Sequence, residues 1–239
     1  MQSKSRVRFL AVIVTVTLAL AGSALGTTTY SNIDQMSGWK HCTVCAGAGG
    51  NGSVAVFSMT QSISSPSLDG KSVKFFLGGT DPYSNALWWK QLGANASAAN
   101  FVYDLYFYMK NPGAAQALEF DVNQSRYGKK FIFGTECSFK RHVWDIYDPY
   151  NRHWVHTSVP CAMPKAYKWH HLVLEFHRTS GGKLKFVSVT MNGTKSYFNK
   201  YYSPRSSSAK EINVAFQMDG DRNQTDYTVW LDKIKLKYW

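Results

Sequence analysis

The residues with the clearest capacity for chemistry lie in the run Leu118-Glu119-Phe120-Asp121-Val122-Asn123-Gln124. It alternates as a strand does, with Leu118, Phe120 and Val122 on one face and Glu119, Asp121 and Asn123 on the other. Carboxyls two residues apart on one face either move protons or accept hydroxyls from a polar ligand. Upstream, Phe101, Tyr103, Leu105 and Phe107 read as core, which leaves Asp104, Tyr106 and Tyr108 on the opposite face. Tyr106 and Tyr108 set beside Glu119, Asp121 and Asn123 would form a saccharide platform, in which rings stack on pyranose faces and carboxylates take the hydroxyls. A buried aromatic pair and a solvated strand face explain the same residues.

On a later strand, His171, Glu175 and His177 share one face by parity. Glu175 joins the ligand-contact set. If the protein is an enzyme, Glu119, Asp121, His171 and His177 are the catalytic candidates. A polysaccharide lyase needs a base, an acid and a group that neutralises the uronate carboxylate, and Tyr, His, Arg and Gln do this work. The adjacent His170 and His171 point to opposite strand faces and do not share a metal ion. Asp219-Gly220-Asp221, with Asn223 and Asp226 nearby, makes an oxygen-rich loop of the type that suits calcium, with Asp219 and Asp221 as first ligands. It lacks EF-hand spacing, so a solvated turn without a cofactor is the expectation.

The elements that must position these residues are short and extended. Alternating runs occupy 54–61, 72–77, 86–92, 101–110, 117–124, 129–135, 142–147, 153–157, 168–178, 184–191, 195–201, 211–218 and 227–238. Turn signals separate them, among them Asn111-Pro112-Gly113, Asp148-Pro149-Tyr150-Asn151 and Ser180-Gly181-Gly182. Asn192-Gly193 is the strongest hairpin signal. No segment keeps helical periodicity, and no repeat or convincing linker divides the chain. The pattern predicts an all-β, two-sheet antiparallel sandwich of jelly-roll type, with an irregular barrel as runner-up.

Residues 1–26 read as a secretory signal peptide. Lys4, Arg6 and Arg8 precede an apolar run from Phe9 to Ala21, and Ala24-Leu25-Gly26 supplies a small-x-small cleavage pattern. The run, about 13 residues, is short of the ~20 that span a bilayer. The expected organisation is a leader at 1–26, a polar segment with a C-x-x-C at 27–52 and a sandwich at 53–239. The expected location is secreted or extracytoplasmic, with no membrane insertion. Export favours disulfides, and Cys42–Cys45 with Cys137–Cys161 is the preferred pairing, the crossed alternative remaining open. The formal charge of +12 is scattered along the chain rather than gathered on one element. That distribution disfavours nucleic acid and suits anionic polysaccharides. Sequons stand at Asn51, Asn95, Asn123, Asn192 and Asn223. Oligomeric state is not encoded in any of these patterns.

Two stretches carry a family resemblance. Trp169-His170-His171-Leu172-Val173-Leu174-Glu175-Phe176 is similar to the Trp-His-His-hydrophobic strand of laminin-G-like modules. Val229-Trp230-Leu231-Asp232-Lys233-Ile234-Lys235-Leu236 resembles the closing strand of concanavalin A-like sandwiches. The resemblance implies a concave sheet face able to carry a saccharide groove. Retaining β-glucanases on this scaffold place Glu-x-Asp-x-(x)-Glu on one strand. Here Glu119 and Asp121 match, while Asn123 or Gln124 stands where the general acid belongs, and an amide cannot protonate a leaving oxygen. The expected function is therefore non-catalytic, lectin-like carbohydrate binding. A polysaccharide lyase or degenerate glucanase is the enzymatic alternative, and an adhesive surface protein without a small ligand is the third.

Overall fold

A computed structural model describes residues 26–43 and 55–239. The first strands are β1 (Thr28–Tyr30), β2 (Lys40–Cys42), β3 (Val56–Ile63), β4 (Ser72–Gly78) and β5 (Asn85–Gln91). Then come β6 (Asn100–Met109), β7 (Ala115–Arg126), β8 (Lys129–Ser138), β9 (Val143–Asp148), β10 (His153–Pro160) and β11 (Lys168–Arg178). The chain closes with β12 (Leu184–Met191), β13 (Thr194–Tyr202), β14 (Arg205–Ser206), β15 (Glu211–Gly220) and β16 (Tyr227–Tyr238). The alternating runs of the sequence correspond to β3–β13, β15 and β16. Single 3-10 turns at Ile33–Gln35 and Pro112–Ala114 are the helical elements among the described residues, and no helix there is long and apolar enough to cross a membrane.

The strands form two antiparallel sheets packed face to face as a jelly-roll sandwich. The first sheet runs β13-β12-β11-β6-β16-β4-β3 with β1 added to β16, and the second runs β10-β9-β8-β7-β15-β5-β2 with β14 added to β8. The two N-terminal strands thus belong one to each sheet.

Period-2 alternation dictates the core. On β6, Phe101, Tyr103, Leu105, Phe107 and Met109 are buried while the residues between them are half-buried on the outer face. On β7, Leu118, Phe120 and Val122 point inward. Rings meet across the sandwich: Phe107 lies 5.8 Å from Phe120, Phe75 4.9 Å from Phe216 and Phe133 5.1 Å from Phe176. Such pairs add about 0.5–1.5 kcal/mol each beyond their burial.

Covalent and polar ties fix the ends. Cys137, late in β8, is bonded to Cys161 just after β10, with Cα atoms 5.7 Å apart, so the β9–β10 hairpin is stapled at its base. The second expected pair involves Cys45, which lies outside the described residues, as do the leader residues 1–25. On β16, Lys233 takes a left-handed φ of 53°, and the ladder to β6 shifts between Asp232 and Lys235. Two buried aspartates hold this bulge. Asp232 accepts from Ser67 Oγ at 2.7 Å and from the Lys233 amide at 2.8 Å, and Asp34 accepts from the Ile234 amide at 2.8 Å. Burial raises the Asp34 carboxyl to about 6.

Candidate functional site

The outer face of the second sheet is built row by row from the strand register. In one row, Glu119 on β7 stands between Gln217 on β15 and Glu136 on β8. The row continues to Asp145 on β9 and His156 on β10. In the next, Asp121 stands between Ala215 and Gly134, and Trp89 on β5 follows beyond Ala215. Asn123 then faces Asn213 and donates to its Oδ1 at 2.9 Å. In the last row Ser125 lies between Glu211 and Lys130, and Lys130 faces Arg205 on β14.

These rows floor a groove of about 460 Å³. Trp89 bounds one side, and Tyr147 and Trp154, in edge contact at 5.4 Å, bound the other. Gly134 keeps the middle open. A Cβ there would lie 3.0 Å from Tyr147 Cβ and 3.3 Å from Asp121 Oδ1, so any side chain would press on the groove. Asp121 Oδ1, Asn123 Oδ1 and Ser125 Oγ are buried with no protein hydrogen-bond partner among the described residues. Buried polar atoms are ordinarily paired. Asp121 and Asn123 line the groove, and their unpaired oxygens suit a ligand rich in hydroxyls.

Burial also controls the protonation of the floor. It lifts Glu119 well above the usual carboxylate range, and the neighbouring Asp121 lifts it further. Burial raises Asp121 to about 7, opposed by the hydrogen bond it shares with Glu119. Glu136 rises to about 8, chiefly by burial and then through Asp219 and Asp145, with Arg141 opposing at 3.6 Å. Asp219 rises to about 7 by burial, although it accepts from Gln217 Nε2 at 2.9 Å. Arg141 also pairs with the fully buried Asp145, which meets His156 Nδ1 at 3.1 Å. At the opposite end burial lowers the Lys130 ammonium.

The structure brings Glu119, Asp121 and Asn123 together on this floor, but Tyr106, Tyr108, Glu175, His171 and His177 stand elsewhere. These lie on β6 and β11 of the first sheet, pointing away from the core on the other side of the molecule. The expected platform of Tyr106 and Tyr108 beside Glu119 and Asp121 therefore does not form. The connection at 110–114 carries the chain from one sheet to the other, so consecutive strands are not neighbours. Nor do the histidines approach Glu119. His171 Nε2 meets Asp104 at 2.8 Å and its ring stacks on Tyr106 at 4.3 Å. His177 meets Asn100 at 2.9 Å, and Glu175 accepts from Lys195 at 2.8 Å.

Asp219 and Asp221 have separate tasks: the former accepts from Gln217 and the latter accepts from the Asn223 amide at 2.8 Å within its own turn. Among the described residues no group of three or more His, Cys, Asp or Glu is placed to hold a metal ion.

The sequence reading does not single out Glu136, Arg205 or Gln217. For Gln217 the signal is the alternation of its own strand. Glu211, Asn213, Ala215, Gln217 and Asp219 alternate with Ile212, Val214, Phe216 and Met218, the same pattern that marks β7.

No family model matches this sequence, and no curated protein matches it. Among solved structures, the chain is similar to arcelin-5, a lectin-like defense protein from Phaseolus vulgaris. The TM-score is 0.51 at 10% identity, over 89% of this chain and 98% of that one. The cellulose-induced protein Cip1 matches with a TM-score of 0.48 at 11% identity, over 87% and 96% of the two chains. A family 11 carbohydrate-binding module from Clostridium thermocellum, solved with a mixed-linked β-1,3-1,4 tetrasaccharide, matches at 0.40 and 13% identity, over 90% and 96%. At these identities the likeness is one of fold alone, that of a two-sheet β-sandwich.

Proposed function

We propose that this is a secreted protein that binds a polysaccharide chain, without cleaving it, in the groove on the outer face of the second sheet. The observation that carries the reading is the pairing of half-buried rings, Trp89 on one wall and Tyr147 with Trp154 on the other, with unpartnered oxygens of Asp121 and Asn123 on the floor between them. Sugars present apolar ring faces and hydroxyl edges, and this groove offers a surface for each. The fold shared with a lectin-like protein is in keeping with it, although one fold hosts many functions. The leader at 1–26 and the Cys137–Cys161 bond support export. The test is retention on a panel of immobilised polysaccharides. Wild type is expected to be retained on at least one. Trp154→Ala is expected to lose at least tenfold in affinity, about 1.4 kcal/mol. Full retention of the variant would remove the groove from the account.

One observation favours a second reading, hydrolysis. Glu136 stands directly across the ladder from Glu119, and such partners have Cβ atoms about 4.5–5.5 Å apart. β8 thus brings a second Glu beside Glu119, just outside the groove lining, and retaining glycosidases use two carboxyls ~5 Å apart. Release of reducing ends by wild type, lost in Glu136→Gln, would convert the binding protein into an enzyme. Retention without product supports binding alone.

A further inference from the structure

Resting on the groove reading above, we infer that the groove is built for an acidic saccharide, whose carboxylate or sulfate group seats between Lys130 and Arg205. The ladder places these residues directly opposite each other on β8 and β14, both half-buried and both lining the groove. Like charges facing across a ladder destabilise a sheet. Natural sheets relieve such pairs with a counter-charge, yet among the described residues neither cation has an ion pair within 4 Å or a hydrogen bond. Glu211, two strands away in the register, offsets part of the repulsion at Lys130 from a distance, but it forms no ion pair with either cation and accepts from the Asn213 side-chain amide at 3.2 Å. An anion held between the ammonium and the guanidinium would remove the repulsion and satisfy a planar, two-pronged donor.

The rest of the groove is compatible with this occupant. Lys40 adds a third cation to the lining, beside Trp89 in the register. Glu119, at the far end of the lining, lies several residues along the strands from Lys130, and burial lifts its carboxyl well above the usual carboxylate range. A protonated carboxyl there would present a hydroxyl-like partner to the sugar instead of repelling it. The groove is thus polar along its length, cationic at the Lys130 end and carboxyl-rich at the Glu119 end. A chain with an acidic substituent would enter in one direction only.

Calorimetric titration with three oligosaccharides tests this: an oligogalacturonate, a sulfated galactan oligomer and a neutral mixed-linked β-glucan oligomer. Wild type is expected to bind one of the acidic probes at least tenfold tighter than the neutral one, a gap that narrows in 0.5 M salt as charges are screened. The arm that binds tighter identifies carboxylate or sulfate. The double variant Lys130→Gln/Arg205→Gln is expected to lose the gap between acidic and neutral probes and to melt no lower than wild type, because the repulsion between the two cations is gone. Equal or tighter binding of the neutral probe by wild type overturns the inference and leaves the groove reading intact. So does a double variant that keeps the acidic preference. Absence of binding to all three probes and to the polysaccharide panel overturns both.

Discussion

The substitution Asp121→Asn should make the protein more stable at pH 8 and should flatten the dependence of its stability on pH. Asp121 is buried, and its carboxyl is raised from 3.8 to about 7. A carboxyl with a raised folded pKa holds its proton longer when folded than when unfolded. Its stabilising contribution is complete below about pH 4 and is lost as pH rises through the folded value. One extra proton bound by the folded state corresponds to about 1.4 kcal/mol per pH unit. Between pH 5 and 7 that amounts to roughly 3 kcal/mol, or about 6–12 °C in Tm for a protein of this size. Glu119, Glu136 and Asp219 shift the same way, but neighbouring carboxyls lose protons in shared steps, so the contributions do not simply add. The surface works in the opposite sense, because a basic chain loses self-repulsion as its histidines discharge. That effect is spread over exposed groups and screened within ~8 Å at physiological salt, so the buried carboxyls dominate. The amide in the variant would keep a hydrogen-bonding group beside Glu119 and would have no charge to bury. Thermal melts from pH 5 to 8 at fixed ionic strength measure the difference. A wild-type Tm that is level or rising over this range, or a variant with the wild-type slope, would refute the reasoning.

Other outcomes follow from the same geometry. Cys137→Ser/Cys161→Ser should lower stability by about 3 kcal/mol on the loop-entropy model, read as a lower denaturant midpoint with little change in the wild-type groove affinity. Gly134→Val should fill the groove between Asp121 and Tyr147 and abolish polysaccharide retention, while near-ultraviolet circular dichroism shows whether the aromatic core is kept. Asp34→Ala leaves the buried Ile234 amide without its acceptor and should cost about 1–3 kcal/mol in chemical denaturation, with glycan binding unaffected because the bulge lies on the first sheet.

Much of this architecture is legible from parity. The side chains of β6 and β7 fall on the faces that alternation assigns them, and the Asn192-Gly193 turn joins β12 to β13 with both residues at positive φ, 50° and 85°. Parity says which residues share a face of one strand. It is silent on which strands share a sheet. Tyr106 and Glu119 sit on consecutive strands, and consecutive strands are neighbours often enough to invite the pairing. Here the crossover puts them on opposite outer faces. Glu136 illustrates the converse. Tyr127-Gly128 is a two-residue hairpin turn with φ of 44° and 75°, and counting seven residues back along each arm from Arg126 and Lys129 reaches Glu119 and Glu136. Tyrosine is an unusual residue at positive φ, so the turn carries no Asn-Gly or Asp-Gly signature, and the register that unites the two carboxyls stays hidden.

The place of β16 bears on how the molecule can be made. The most C-terminal of the described strands lies in the interior of the first sheet, flanked by β6 and β4, and β1 also pairs with it at Thr28 to Tyr238. A growing chain can close hairpins such as β9–β10 early, but the first sheet has no centre until β16 is available. Until then β6 and β4 present unpaired edges, and the aromatic interior has only part of its cover. The first sheet is thus completed only when β16 docks between β6 and β4.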